Sequence, residues 1–422
     1  YHTYAKSLVE RGLAYPCFCT EEELDKVRAK QEEDKVLTGY YGEYATCRNL
    51  SYEEIEANIK AGKPYVLRLR SQGSPDKEIT FVDAIKGEIK LPENIHDIVL
   101  LKKDGIPTYH FAHAIDDHLM RTTTVVRGGE WLASAPIHYE LFHLLGFKMP
   151  AYAHTAHLMK FDEETGGKRK LSKRKDPELS LDYYRKDGYH PYTMKVYLLT
   201  LLNSNFEEWH EKFPDKDINE FPFSVEKMNQ SGALFDKDKL HNICKNELSK
   251  LSEEELYDFL YDWARENEPE NVEKWFGDRE KMLQILRLYM GVGAKRRRKD
   301  LMYAKQIFEL ISYFFDGESA EEMDEFKLDE DMVSKILKSY LAKYDHNDDN
   351  SVWFNKLKEI ADEHGFASDM KAYKANPENF KGNVSDIAEA VRIAVTGRAN
   401  TPDLWTIVHI MGEEQMTERI KK

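Results

Sequence analysis

Two short stretches of this sequence combine residue types that chemistry needs. The first is Gly166-Gly167-Lys168-Arg169-Lys170-Leu171-Ser172-Lys173-Arg174. A glycine pair permits a mobile loop, and the cations after it can close over a polyphosphate, to which Ser172 adds a hydroxyl. Substitution at an α-phosphate builds charge on the departing pyrophosphate, and lysines arriving as a loop shuts stabilise that charge. Composition alone equally allows a solvated basic loop. The second stretch is Cys17-x-Cys19, with Cys47 further on. Thiolates two apart can share one tetrahedral ion and a third can arrive from a distant loop; three free thiols are the alternative. Another basic run, Lys295-Arg296-Arg297-Arg298-Lys299, reads as a phosphate contact or as a solvated helix face.

The elements that must hold these residues are mixed at the front and helical behind. Tyr4, Leu8 and Leu13 recur near helical spacing, and Thr20 with Glu23 forms a capping box that opens a helix from Glu21 to Gln31. Tyr65 to Arg70 alternates like a strand, and Ile79 to Val82 and Asp97 to Lys102 are further strand candidates. Thr122 to Val126 is β-branched and reads as a buried strand ending at Arg127-Gly128-Gly129-Glu130. A helix follows from about Ala135, with Pro136 in its first turn, to Gly146. Strand, polar loop and helix in that order predict a parallel sheet with the loop at the strands' carboxyl ends, where ligands bind. After about Leu179, aromatic-rich amphipathic helices dominate: Tyr192 to Leu202, Glu253 to Trp263, Met302 to Phe315 and Ser334 to Tyr344. No fixed-period repeat or low-complexity tract interrupts them.

Bulk properties narrow the class further. A chain of 422 residues exceeds one ordinary core and predicts about two to four domains. The net charge of −15 argues only weakly against a nucleic-acid partner, because the placement of positive charge matters more than its sum. No unbroken apolar run approaches a membrane span, and no secretory signal is visible. Four cysteines in a chain this long point to a reducing cytosol rather than a disulfide framework.

The order of residues adds a resemblance. Lys170-Leu171-Ser172-Lys173-Arg174 resembles the glutamyl form of the second signature of class I aminoacyl-tRNA synthetases. Upstream, Asp104-Gly105-Ile106-Pro107-Thr108-Tyr109-His110-Phe111-Ala112, then Asp116 to Met120, Val126-Arg127-Gly128 and Glu130-Trp131-Leu132 follow in that family's order. Downstream, Leu181 to Arg185 with Gly188-Tyr189, Ala233 to Leu240, Ala390 to Arg398 and Pro402-Asp403-Leu404 continue it. The similarity is colinear over nearly the whole chain, and the sequence resembles a bacterial-type glutamyl-tRNA synthetase.

The resemblance implies ATP-dependent activation of L-glutamate, with Mg2+ accompanying the ATP, and transfer to the 3′ end of tRNA(Glu). It implies catalytic roles for Lys173 and Lys170. ATP would be met by Ser172, Lys173, Arg174, Trp131 and Leu158, the last within His154 to Met159, where Ala156 replaces a usual proline. Glutamate would be held by Tyr109 and Arg127, with His113 lining the pocket. Cys17, Cys19 and Cys47, with Tyr44 as fourth ligand, resemble a zinc site of some members; Asn49 stands where others carry histidine. The implied division is an acceptor-stem insertion at 1–104, the second half of a Rossmann-type α/β catalytic domain at 105–179, a stem-contact helical domain at 180–290 and a helical anticodon-binding domain at 291–422. A cytoplasmic monomer without membrane contact is expected.

The family's first signature, His-Ile-Gly-His, is absent, and the sequence opens at Tyr1 rather than Met. The resemblance explains this by placing roughly 100 residues, the front of the nucleotide-binding sheet, upstream of Tyr1. On that expectation the chain alone does not activate glutamate. Two rivals remain: a tRNA-binding paralogue or fragment without catalysis, and a glutaminyl-tRNA synthetase, whose anticodon region is built of β-barrels.

Overall fold

The computed structural model describes residues 1–162, 164–230, 232–315 and 323–421. They form two compact units: Tyr1–Leu171 with Leu199–Phe235, and Ser172–Leu198 with Asp236–Lys422.

The first unit contains three small sheets. β1 (Ala14–Cys17), β2 (Val66–Leu69) and β5 (Val99–Leu101) pair antiparallel in the order β1-β2-β5. Helix α1 (His2–Glu10) packs beside this sheet. Helix α2 (Glu21–Glu33) opens with the capping box expected from Thr20 and Glu23. Helix α3 (Tyr52–Lys60) carries a second capping box, on Ser51 and Glu54.

The sheet that positions the site is four-stranded, in the order β4 (Gly87–Pro92), β3 (Glu78–Asp83), β7 (Ala151–Thr155), β6 (Thr124–Gly128). β7 runs parallel to both β3 and β6, and helix α5 (Ala135–Leu145) connects β6 to β7 as the strand-loop-helix order predicts. This sheet therefore takes strands from both sides of residue 104, because the β3–β4 hairpin pairs with β7 rather than with the preceding sheet. Helix α4 (Tyr109–Leu119) buries Phe111, Ala114 and Ile115 against α1, α5 and the first sheet. Those positions are one, four and five of a helical stripe, so Tyr109, His110 and His113 lie off the buried face.

The third sheet, in the order β10 (Ala233–Leu234), β8 (Leu158–Phe161), β9 (Lys168–Lys170), carries the start of the basic stretch. Gly166 and Gly167 serve the turn between β8 and β9 rather than the lysine loop. Gly166 has φ +67°, a left-handed conformation that glycine adopts without penalty, and its N–H donates to the Asp162 carbonyl. Lys168, Arg169 and Lys170 are thus strand residues.

The second unit has no β-strand among its described residues. One cluster of buried side chains runs from Leu248 to Ile420, stacking Trp275 on Phe308 at 3.9 Å, so the core is continuous across the boundary expected at 290/291. Lys295–Lys299 is not a helix face. Gly291 ends the helix Arg279–Met290 at φ +66°, and the run lies in the connection that follows. Among the described residues no helix is long and apolar enough to cross a membrane.

Candidate active site

Register builds the centre of the site in the first unit. Arg127 on β6 lies directly opposite His154 on β7, and β3, the other neighbour of β7, ends at Asp83. Arg127 Nε donates to His154 Nε2 at 2.9 Å, and His154 Nδ1 donates to Asp83 Oδ2 at 2.7 Å. On the other side, Arg127 Nη1 donates to His138 Nδ1 at 3.1 Å, which leaves His138 Nε2–H to donate to His110 Nδ1 at 2.9 Å. A guanidinium only donates, so the partners assign both histidine tautomers. Arg127 Nη2 also donates to the Trp131 carbonyl at 3.4 Å, and the guanidinium lies 4.7 Å above the Tyr152 ring.

Above this chain of hydrogen bonds lies an aromatic wall. Tyr109, half exposed, packs 4.5 Å from Trp131 and stacks parallel to His113 at 5.8 Å. His113 gives its Nδ1 proton to Asp117 at 2.8 Å, one helical turn on, and accepts from the Tyr152 hydroxyl at 2.7 Å. Burial pushes the Tyr152 phenol up, so it stays a donor. Burial also lowers the pKa of His110, His113, His138 and His154, with the Arg127 charge adding to the effect in each. His138 falls to about 2, so it is neutral at pH 7. Burial opposes ionisation of Asp83, yet hydrogen bonds from Lys86, His154 and Ile85 hold its carboxyl below the usual range. The result is one fixed cation, Arg127, among neutral rings.

Keeping these rings neutral has an acid cost. The unfolded chain binds protons near pH 6.5 that the folded rings refuse, so the stabilisation is full above that pH and is lost below it. For His138 the slope is about 1.4 kcal/mol per pH unit, continuing toward its folded value of about 2, and the other three rings add to it in the same direction. Denaturant midpoints should therefore fall between pH 7 and pH 5, and His138→Gln should flatten the fall. An unchanged slope in that variant would refute this account.

The residues read from the sequence distribute as follows. Tyr109, His113, Arg127 and Trp131 come together around the arginine. Leu158 lies in the middle strand of its sheet, its carbonyl accepting from Leu171 N–H at 3.0 Å. The Lys170 ammonium lies 3.7 Å from Glu130, whose other oxygen is 3.4 Å from His157. Ser172, Lys173 and Arg174 open the second unit. There the Ser172 N–H donates to buried Asp176 at 2.7 Å, and Lys173 and Arg174 are exposed. The sequence reading missed Asp83, His138, Tyr152 and the side chain of His154, which position the arginine without an exposed motif of their own.

Sulfur ligands converge as the spacing allows. Cys17, Cys19 and Cys47 place their Sγ atoms within 4.8 Å of one another, on β1, its exit and a distant loop. Tyr44 does not join them. The turn Gly42–Tyr44 directs it outward, where its hydroxyl donates to Asp34 at 3.2 Å. Buried Tyr40 takes that place instead, its oxygen 3.4 Å from Cys17 Sγ and 3.3 Å from Cys19 Sγ. Within the cluster the Cys17 thiol is strongly lowered, chiefly by its hydrogen bond with Cys19, and the Cys19 thiol is raised.

Comparison with known proteins places these features in a family. Residues 1–242 match the tRNA synthetases class I (E and Q) catalytic domain, and residues 255–422 match an anticodon binding domain. A glutamate–tRNA ligase from Acetivibrio thermocellus is 53% identical over 424 residues, spanning 100% of this chain and 77% of that relative. One from Clostridium perfringens is 46% identical over 427 residues, with the same coverage. The crystal structure of a glutamate tRNA ligase from Elizabethkingia meningosepticum, in complex with its amino acid, superposes with a TM-score of 0.74 at 25% identity, covering 100% of this chain and 81% of that one. With the catalytic-domain model matched over residues 1–242 and a relative 53% identical along the whole chain, the chain belongs to the glutamate–tRNA ligases of the class I tRNA synthetase family.

Proposed function

We propose that this protein joins L-glutamate to tRNA(Glu) in two steps. A glutamate carboxylate oxygen attacks the α-phosphorus of ATP, supplied as its magnesium complex, and pyrophosphate leaves. A ribose hydroxyl at the tRNA 3′ end then attacks the carbonyl of glutamyl-adenylate, and AMP leaves. The observation that carries the substrate reading is the fixed Arg127 guanidinium, bonded to the carbonyl of Trp131 whose ring packs on half-exposed Tyr109, a carboxylate receptor flanked by neutral groups. Lys173, Arg174 and Ser172 meet the phosphates. Lys170 is released to join them at little cost, because its pair with Glu130 is exposed and worth under about 1 kcal/mol. Trp131 and the Leu158 segment border the nucleotide. The four free thiols fit work in a reducing cytosol.

A charging assay on the complete gene product tests this reading. Labelled glutamate should become acid-precipitable only with ATP and tRNA(Glu). Failure to charge glutamate, or charging of glutamine onto tRNA(Gln), would overturn it.

The thiol cluster fits zinc, held by Cys17, Cys19, Cys47 and the Tyr40 oxygen. The Cys19–Cys47 separation of 3.6 Å is close to the edge of about 3.8 Å that two zinc–thiolate bonds span in a tetrahedron. The ion's role there is structural, fastening β1 to the loop around Cys47. Elemental analysis should find about one zinc per chain, reduced in Tyr40→Phe and removed with a lowered melting temperature by Cys47→Ser. Metal-free protein with three titratable thiols would dismiss it.

A further inference from the structure

We propose that Asp83 and His154 are positioning residues for Arg127: the ionised carboxylate fixes the histidine tautomer, and the tautomer aims the guanidinium at the substrate's carboxylate. The proposal deepens the reading of Arg127 as glutamate receptor and rests on it.

Asp83 has no spare capacity for a proton. Oδ1 accepts from the Ile85 and Lys86 N–H groups, each at 2.9 Å, while Oδ2 accepts from the His154 backbone N–H at 3.0 Å and the ring Nδ1–H at 2.7 Å. Four donors on two oxygens stabilise the charged form, and the residue is 1% exposed. Because Nδ1 must donate, Nε2 is bare and must accept, and the donor it meets among the described residues is Arg127 Nε–H. The opposite tautomer would set two N–H groups against each other at 2.9 Å and drive the guanidinium out of place.

The remaining contacts of Arg127 show what this orientation achieves. Nε, one hydrogen of Nη1 and one of Nη2 are engaged by His154, His138 and the Trp131 carbonyl. A guanidinium has five N–H groups, so two remain, one on each terminal nitrogen, which is the number a carboxylate takes in a bidentate pair. Asp83 lies 71 residues before His154, at the end of a hairpin strand, and acts on Arg127 through that histidine, which it holds by both backbone and ring.

Glutamate-dependent ATP–pyrophosphate exchange, with tRNA present, decides the matter on the complete gene product. The variants are Asp83→Asn, His154→Phe, His154→Gln and Arg127→Lys, each with its melting temperature. Asp83→Asn and His154→Phe should raise the KM for glutamate by about tenfold or more while leaving the KM for ATP alone. His154→Gln offers Arg127 an amide oxygen in place of Nε2 and should stay within about threefold of wild type. Folded Asp83→Asn and His154→Phe proteins with wild-type glutamate KM would overturn the proposal, provided Arg127→Lys raises it. If Arg127→Lys does not raise it, the receptor reading fails first. Should Asp83→Asn not fold, equal KM values for His154→Phe and His154→Gln overturn the proposal by themselves.

Discussion

Lys173→Ala is expected to slow glutamate-dependent ATP–pyrophosphate exchange by about 10²- to 10³-fold, with the KM for glutamate nearly unchanged. The argument is one of differential binding. Little charge changes place when ATP binds, but charge accumulates on the leaving pyrophosphate as the α-phosphorus bond breaks. A cation that meets it only then lowers the barrier rather than tightening the ground state. Lys173 is exposed and lies within the turn that the Ser172 N–H ties to Asp176, so its ammonium is not committed to a buried partner. Lys173→Arg should keep part of the rate, since it retains charge with a different reach. Lys170→Ala should be milder, because its ammonium is shared with Glu130 at rest. The measurement is single-turnover adenylate formation in the complete gene product, with tRNA present. A Lys173→Ala protein that forms adenylate at the wild-type rate would remove the phosphate role of this loop.

The second large effect is at Arg127. Replacement by lysine should raise the KM for glutamate by about two orders of magnitude, because a point charge cannot give two parallel hydrogen bonds to a carboxylate. The same substitution has a structural consequence that separates cause from effect. One ammonium nitrogen does not reproduce donors placed separately at Nε and Nη1, so the bonds to His154 Nε2 and His138 Nδ1 are weakened or lost, at about 1–3 kcal/mol for a nitrogen left unpaired. For a unit of this size that lowers the melting temperature by about 2–4 °C per kcal/mol. Both changes are expected together, read by steady-state kinetics and by thermal unfolding. A lower melting temperature with an unaltered glutamate KM would make Arg127 a structural residue only.

Local signals in the sequence were sufficient wherever a few neighbouring residues decide the outcome. The Thr20–Glu23 capping box and the helix from Ala135 to Gly146 appear as their patterns predict, and the strand leading into Arg127 forms but is not buried, with Val126 58% exposed. What the sequence hid depends on which strands become neighbours. Asp83 reads as a turn residue ahead of Gly87, and it is one, through its bonds to Ile85 and Lys86; its second oxygen serves the site only because β3 lies beside β7. His138 lies three and four residues before Leu141 and Phe142, so it shares their apolar face and reads as core. It is core, and it also receives Arg127. Tyr44 is the candidate that stands out near Cys47 on paper, and Tyr40 is the one the fold supplies. A short turn at Gly42–Tyr44 decides between them by sending one inward and the other to Asp34. The glycine pair misled for a related reason: its flexibility is spent on a hairpin bend before the lysines that matter.

The chain passes between its two compact units three times, after Leu171, Leu198 and Phe235. No single scission can therefore release either body intact. A piece beginning at Ser172 drags along the 199–235 segment stripped of its sheet partners, and one beginning at Asp236 forfeits the helix Leu181–Asp187. Anyone dissecting this enzyme by truncation, or grafting its helical rear onto another scaffold, must excise and rejoin rather than trim.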